Sequence, residues 1–396
     1  MFAMFFAMLS TAILLLFTKL KIRKLYLLFA LVIIIVSLAL AGSLIPPKNI
    51  YDLYRHYELI DYIRYSNCDV FKGTFFVIPM KYTNYSFTYV FNILICLIAK
   101  FLPNQALPFI TILICYSVYA YILLKESRVS SNSVAIIVSF FLFSILQPYL
   151  YIYSGIRCTL SASFAALAFY RFFKVKKNIF LTAFLELCAV LIHPFALATV
   201  PLYFIFMIKP NFIFLFLVFI IPRILAPVME WCRLKSGNQF LFLLGAKYYN
   251  YTNVREDFQG IVFYTASLLP LIILTLLLAF KSFNYKKKAM FIEGNSSFSR
   301  KLHINHNWLS ADTLVLDNTL TSLWFYMIVS FAFIDSYSVF TRFPYFISYF
   351  SPAFVKYIYL DQMIRKRYKP LELCSLIILI SLYVLVTFEN ISWLLF

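Results

Sequence analysis

From Leu25 to Pro47 no charged side chain interrupts the chain. A helix over 25–45 would be about 30 Å long, the thickness of a bilayer's hydrocarbon core. Comparable apolar runs occupy roughly 1–18, 106–124, 133–151, 156–173, 179–193, 195–208, 211–228, 261–280, 318–334, 343–360 and 371–388. In lipid every backbone polar group must be satisfied internally, so runs of this kind fold as helices. The chain is 63% hydrophobic and 13% charged, with a mean hydropathy of +0.85. One soluble core could not bury so much apolar surface. The expectation is an all-α polytopic membrane protein, one integral-membrane domain over 1–396 with about 12 transmembrane helices. Phe (46) and Tyr (30) far outnumber Gly (7), which argues against helix crossings built on close glycine packing. No cleavable signal peptide is expected, because the first apolar run lacks a basic leader and an A-x-A site.

The net charge of +19 is placed by topology. Basic clusters at Lys19 to Lys24, Lys125 and Arg128, Arg171 to Lys177, Lys209, Lys281 to Lys301 and Lys356 to Lys369 fall on one side of the spans. That side holds 22 basic and 6 acidic residues, against 13 and 9 on the other. This is the positive-inside pattern, so it marks the cytoplasmic face and argues against a nucleic-acid partner. Both termini then lie outside, and 282–317 is the largest cytoplasmic loop.

An outer loop over 46–105 begins at Pro46-Pro47, which stop a helix. Within it Leu53, Tyr57 and Ile60 fall at helical spacing, with Asp52, Arg55, His56 and Glu58 around them. That pattern suits an amphipathic helix lying at the interface. Residues 84–102 are long enough to span. Counting them as a span would put the Lys19–Lys24 cluster outside or Arg157 inside, so a juxtamembrane helix on the outer face is preferred. A second outer loop, 229–260, carries Tyr248 among other tyrosines and an Arg255-Glu256-Asp257 run.

Two apolar helices with a basic hinge at Lys174–Lys177 fill 156–193. Arg157 opens the first, and His193-Pro194 closes the second. With the hinge inside, Arg157 and His193 come to the same outer face. A guanidinium at a helix N-terminus suits a phosphate, because free N–H groups and the arginine fork point the same way. Arg342 also opens an outward-starting helix, just after Asp335, and Arg223 in IIPRILAP falls near an expected outer helix end. Two such arginines could grip the two phosphates of a diphosphate. Each one alone is also explained as an anchor at the headgroups. Glu186 lies inside a span, where ionisable groups face the protein interior. It either hydrogen-bonds a neighbour or lines the site. Arg55, Tyr248 and Asp335 are further candidates to line it. The seven cysteines form no CxxC pair and signal no zinc. Cys68 and Cys232 fall in outer loops, where a disulfide is open to them. His303 and His306 have a metal spacing but sit on a basic loop, and no metal site is assigned.

YDLY at 51–54, GIRCTLSASFAALA at 155–168, AVLIHPFALA at 189–198 and TRFPYFISYF at 341–350 resemble the landmarks of EpsG-type polysaccharide polymerases. These are Wzy-like proteins of exopolysaccharide and O-antigen clusters. The resemblance covers most of 45–360 in order and spacing, although Cys158 stands where the family usually has Gln. The layout also resembles C-type glycosyltransferases, with an acidic first outer loop and juxtamembrane helices. The resemblance implies a multi-pass protein of the bacterial inner (plasma) membrane with its active face extracytoplasmic. It implies an undecaprenyl-diphosphate-linked oligosaccharide as substrate, a second lipid-linked glycan as acceptor and a chain-length regulator as a further partner. Diphosphate is already a good leaving group. The protein must stabilise phosphate charge and deprotonate an acceptor hydroxyl. Arg157 and Arg342 fit the first task, with Arg223 a third contact. Asp52 fits the second, with His193 as the alternative base. No cofactor is needed if arginines neutralise the diphosphate, though a divalent cation at Asp52 stays open. A lipid-linked glycan flippase would share the spans and basic groups but would carry its charges along a central path. A membrane acyltransferase would carry a catalytic His toward its acyl donor, which keeps His303 and His306 in view.

Overall fold

The computed structural model describes residues 24–47, 52–66, 88–175, 178–205, 212–235, 237–238, 241–242, 245–246, 249, 268–280, 318–331, 333, 340–360 and 370–395. Among these residues the regular structure is helical and there is no strand. In chain order the helices are α1 Lys24–Leu44, α2 Asp52–Tyr65, α3 Tyr89–Phe101, α4 Ala106–Lys125, α5 Ser133–Leu146, α6 Tyr149–Ser154, α7 Ile156–Tyr170 and α8 Ile179–Ile192. They continue with α9 Leu202–Ile205, α10 Phe212–Lys235, α11 Leu268–Phe280, α12 Asn318–Phe331, α13 Phe343–Ser348, α14 Ser351–Ile358 and α15 Pro370–Leu395. Three stretches are long and apolar enough to cross a membrane: Leu27–Leu44, Ala106–Lys125 and Pro370–Thr387. Shorter apolar helices among the described residues include α3, α5, α8 and α11, and α10 is 24 residues long. The expected run 1–18 lies outside the described residues.

The chain divides into two compact units. One comprises Met1–Pro201, Pro344–Arg367 and Leu376–Phe396; the other comprises Leu202–Phe343 and Tyr368–Ser375. In the first, α4 is the central helix, packed against α1, α6 and α7. Gly42 lets α1 approach closely: a Cβ there would run into Ile112 Cδ1 and the Tyr149 hydroxyl. Tyr149 and Tyr153 fasten α6 to α1, donating to Leu38 O at 2.8 Å and Ile45 O at 2.9 Å. The outward face of α1, with Leu28, Phe29 and Ile33 exposed, is apolar, as a lipid-facing surface requires.

Several expected spans are interrupted, each near a proline. The 133–151 run breaks at Gln147-Pro148 between α5 and α6. The 343–360 run breaks at Tyr349-Phe350, with Pro352 in the first turn of α14. α8 ends at His193, whose backbone is extended, as expected of a residue before proline. The chain then forms a 3₁₀ turn, Pro194–Ala198. Thr199 donates its hydroxyl to Glu186 Oε1 at 2.5 Å. Glu186 lies two turns before His193, so the segment after Pro194 folds back along α8. The 195–208 run is therefore not one continuous helix.

α2 and α3 lie side by side. His56 meets Phe91 edge-on at 5.1 Å, and Arg64 donates to Ala99 O at 3.1 Å. Both contacts have the same offset in sequence, so the helices run parallel. Arg64 also donates to Leu102 O at 2.9 Å, Asn104 Oδ1 at 2.8 Å and Asp61 Oδ1 at 2.9 Å. Asn104 closes the ring by donating to Asp61 Oδ1 at 2.9 Å. This staple joins the C-terminal ends of α2 and α3 to the start of α4. The buried stripe of α2 is Leu53, His56, Leu59, Ile60 and Ile63. It is rotated from the expected Leu53–Tyr57–Ile60 face and carries a histidine.

In the second unit α12 packs against α9 and α10. Trp324 donates to Thr275 O of α11 at 3.2 Å, and Tyr326 leans on Phe343 at 4.9 Å. α10 runs past Pro222 and Pro227 to Lys235, so the expected outer loop 229–260 begins as helix.

Candidate functional site

The site is built on the first turn of α7. Gly155 separates α6 from α7 and brings their backbones close: a Cβ there would stand 2.9 Å from Tyr151 O. The α7 N-cap is Gly155, which has no side chain to cap the first turn. Arg157 sits in that first turn and is half-buried. The sequence expectation that Arg157 opens a helix matches this geometry, and the first-turn N–H groups and macrodipole favour an anion at this end.

Beside Arg157 lies a residue that sequence reasoning passed over. His56 is 1% exposed, set between α2 and Phe91 of α3. Its burial, then the positive charges of Arg157 and Arg55, hold the imidazole well below its usual range. The ring is therefore neutral at neutral pH, in a positive local field. The signal was present in the sequence: His56 takes a position on the buried stripe where an apolar residue would serve as well.

His193 comes to the same end of the helix pair. Ser161, one turn below Arg157 on the same face of α7, donates to Ala189 O at 2.8 Å and to His193 O at 3.2 Å. The His193 Nδ1 accepts from Phe195 N at 3.1 Å, which orients the ring and fixes its tautomer. α8 rises only about 21 Å over its 14 residues, less than a hydrocarbon core. The His193-Pro194 tip thus stops short of a full crossing. Glu186 is buried and engaged by Thr199, about 10 Å along the helix from that tip. It holds the returning segment to α8, which is the hydrogen-bonding role.

Asp52 and Arg55 occupy the exposed first turn of α2, 3.5 Å apart. An exposed pair at that distance is weak, which leaves both groups available to another charge. Arg223 lies in the middle of α10, exposed, and not at a helix end as the sequence suggested. Arg342 is half-buried in the turn before α13, a helix of six residues. Both belong to the second unit. Tyr248, Asp335, Cys68, His303 and His306 lie outside the described residues, and Cys232 is buried. Among the described residues no group of His, Cys, Asp and Glu has metal-binding geometry.

The arrangement thus brings together Arg157, His56, Arg55, Asp52 and the His193 tip around the start of α7. It can attract an anion, orient it through backbone N–H groups and one guanidinium, and offer the Asp52 carboxylate as a proton acceptor. No protein-family model matches the chain, and no curated protein or solved structure matches it.

Proposed function

We propose that this chain is a membrane glycosyltransferase of the polysaccharide-polymerase kind. It joins undecaprenyl-diphosphate-linked oligosaccharides into O-antigen or exopolysaccharide on the extracytoplasmic face of the bacterial inner membrane. One observation carries the reading: an arginine in the first turn of α7, beside a buried neutral histidine of α2. Such a place accepts a diphosphate while its lipid tail stays in the bilayer. Arg157 holds the diphosphate. Asp52 takes the acceptor proton, and His193 is the alternative. The neutral His56 packs beside Arg157 and keeps that charge directed at the ligand. Arginine neutralisation makes a metal unnecessary, and a chelator distinguishes a cation held at Asp52.

The test uses purified full chain with lipid-linked repeat units and reads a glycan ladder on a gel. A ladder from wild type, and its loss in an Arg157→Lys variant of normal abundance, support the proposal. Absence of any polymer, with lipid-linked glycan moved across proteoliposome membranes instead, would replace it with the flippase reading.

A further inference from the structure

The far end of α7, about 21 Å along the helix from Arg157, holds more positive charge than its own carboxylate can use. Three segments meet there, 125–130, 170–175 and 351–360. They carry Lys125, Arg128, Arg171, Lys174 and Lys356 against one carboxylate, Glu126. Both oxygens of Glu126 are taken: Tyr170 donates to Oε1 at 3.2 Å, and Lys356 Nζ reaches Oε2 at 3.1 Å. Lys125 Nζ stands over the Tyr121 ring at 5.7 Å, and Tyr121 meets Tyr170 edge-on at 6.2 Å. Arg171 follows Tyr170 in the chain, so Lys125 and Arg171 come to the same end of the helix bundle.

Lys125 and Arg128 are exposed, and each alone is explained as an anchor at the headgroups. Arg171 is different. It is half-buried in a π-helical turn, Arg171–Val175, and its Nε is buried and makes no hydrogen bond within the protein. A buried donor without an acceptor is costly, and π turns within helices often mark functional positions. This turn packs against α8. Just past the hinge, α8 leaves Phe180, Phe184 and Leu187 exposed on one face. A half-buried guanidinium, a nearby ammonium and an apolar strip together match a molecule with a phosphate head and a hydrocarbon tail. Basic pockets between helices near a membrane face bind such headgroups, and the arginine fork fits phosphate oxygens. We propose that the hinge end of α7 binds an anionic phospholipid. Arg171 and Lys125 hold its phosphate diester, and an acyl chain lies along Phe180, Phe184 and Leu187. The site is at the opposite end of α7 from the proposed diphosphate site. Its test reads retained lipid and no polymer, so it stands apart from the glycosyltransferase reading.

Native mass spectrometry of the purified full chain tests it, with phosphatidylglycerol or phosphatidylcholine added to the detergent at equal concentration. The expected result is a phosphatidylglycerol adduct retained in several-fold excess over phosphatidylcholine. Equal retention of the two lipids would overturn the proposal, and this comparison needs only wild-type protein. Arg171→Gln should lower retention of phosphatidylglycerol about fivefold, whereas Arg128→Gln, at an exposed position, should leave most of it. An equal loss in both variants would mean general attraction to a positive surface, and no loss in Arg171→Gln would remove the site; either overturns the proposal. Displacement of the lipid by excess inorganic phosphate would also overturn it, because the site would then take a free anion without need of the acyl chain.

Discussion

At one end of α7, Tyr170 donates to Glu126 Oε1 at 3.2 Å while Lys356 Nζ reaches Oε2 at 3.1 Å. At the other end, Arg157 and Arg55 bear on a buried neutral histidine, and the nearby Asp52 stays exposed. The first arrangement is closed. A buried carboxylate is matched by a cation and a hydroxyl, and it clasps the α4–α5 turn, α7 and α14. In the second, the charges of Arg157 and Arg55 both act to hold His56 neutral. The same unit contains a further closed case, the Arg64 staple, whose guanidinium is used up on two carbonyls, an amide and a carboxylate. The Arg64 guanidinium, spent on carbonyls, an amide and a carboxylate, organises the fold, whereas Arg157 lies in the first turn of α7, where the helix dipole also favours an anion.

The largest effect is a matter of sides. Reporter fusions after residue 127, beside the Glu126 clasp, should read cytoplasmic, and fusions after residue 154, beside Arg157, should read external. A cytoplasmic signal at 154 breaks the comparison, since the open cluster would then face the wrong compartment.

Next in size is Asp52→Asn, which keeps shape but removes the proton acceptor. Loss of a general base lowers turnover about 10²–10⁴-fold. Donor binding should persist, and Glu58→Gln should retain most activity. An active Asp52→Asn with an inactive His193→Ala moves the base to His193.

Arg157→Lys follows. It keeps the charge and loses the fork, so polymerisation should fall about 10²–10³-fold at normal protein levels. Wild-type polymer length and rate would reduce Arg157 to an interfacial anchor.

The closed end should answer in stability instead. Lys356→Met leaves Glu126 buried without its cation, which costs roughly 2 kcal/mol after allowance for the part-exposed lysine. The measurement is the unfolding midpoint in detergent. Donor binding at the far end of α7 should not change, and a parallel loss of binding would mean that the two ends are coupled.

The smallest effect is pH-dependent. His56 is held neutral in the fold, while the unfolded imidazole takes a proton near 6.5. The unfolded state therefore binds more protons below that pH, and stability falls as pH falls, by at most about 1.4 kcal/mol per unit. Melting curves between pH 7 and 5 should show the slope, and His56→Gln should flatten it. A slope that survives the substitution belongs to another group.

By itself the sequence determined where the helices could form and where several of them break. Uncharged runs such as 25–45 and 106–124 can satisfy their backbones only as helices, and prolines 148, 194 and 352 mark breaks because they remove a bond each. Arg157 at a helix start was legible for the same local reason: a glycine before it and a uniform apolar run after it. The pairing of α2 with α3 was not legible, because it rests on Arg64 reaching carbonyls and an amide 35 to 40 residues away. Nor was the burial of His56, which depends on Phe91 and Arg157 arriving from two other helices. The fold-back after His193 likewise needed the Thr199–Glu186 bond. Local pattern fixes the periodicity of a helix but not which partner its face meets. That choice belongs to contacts distant in sequence, such as those of Arg64 with Ala99, Leu102 and Asn104.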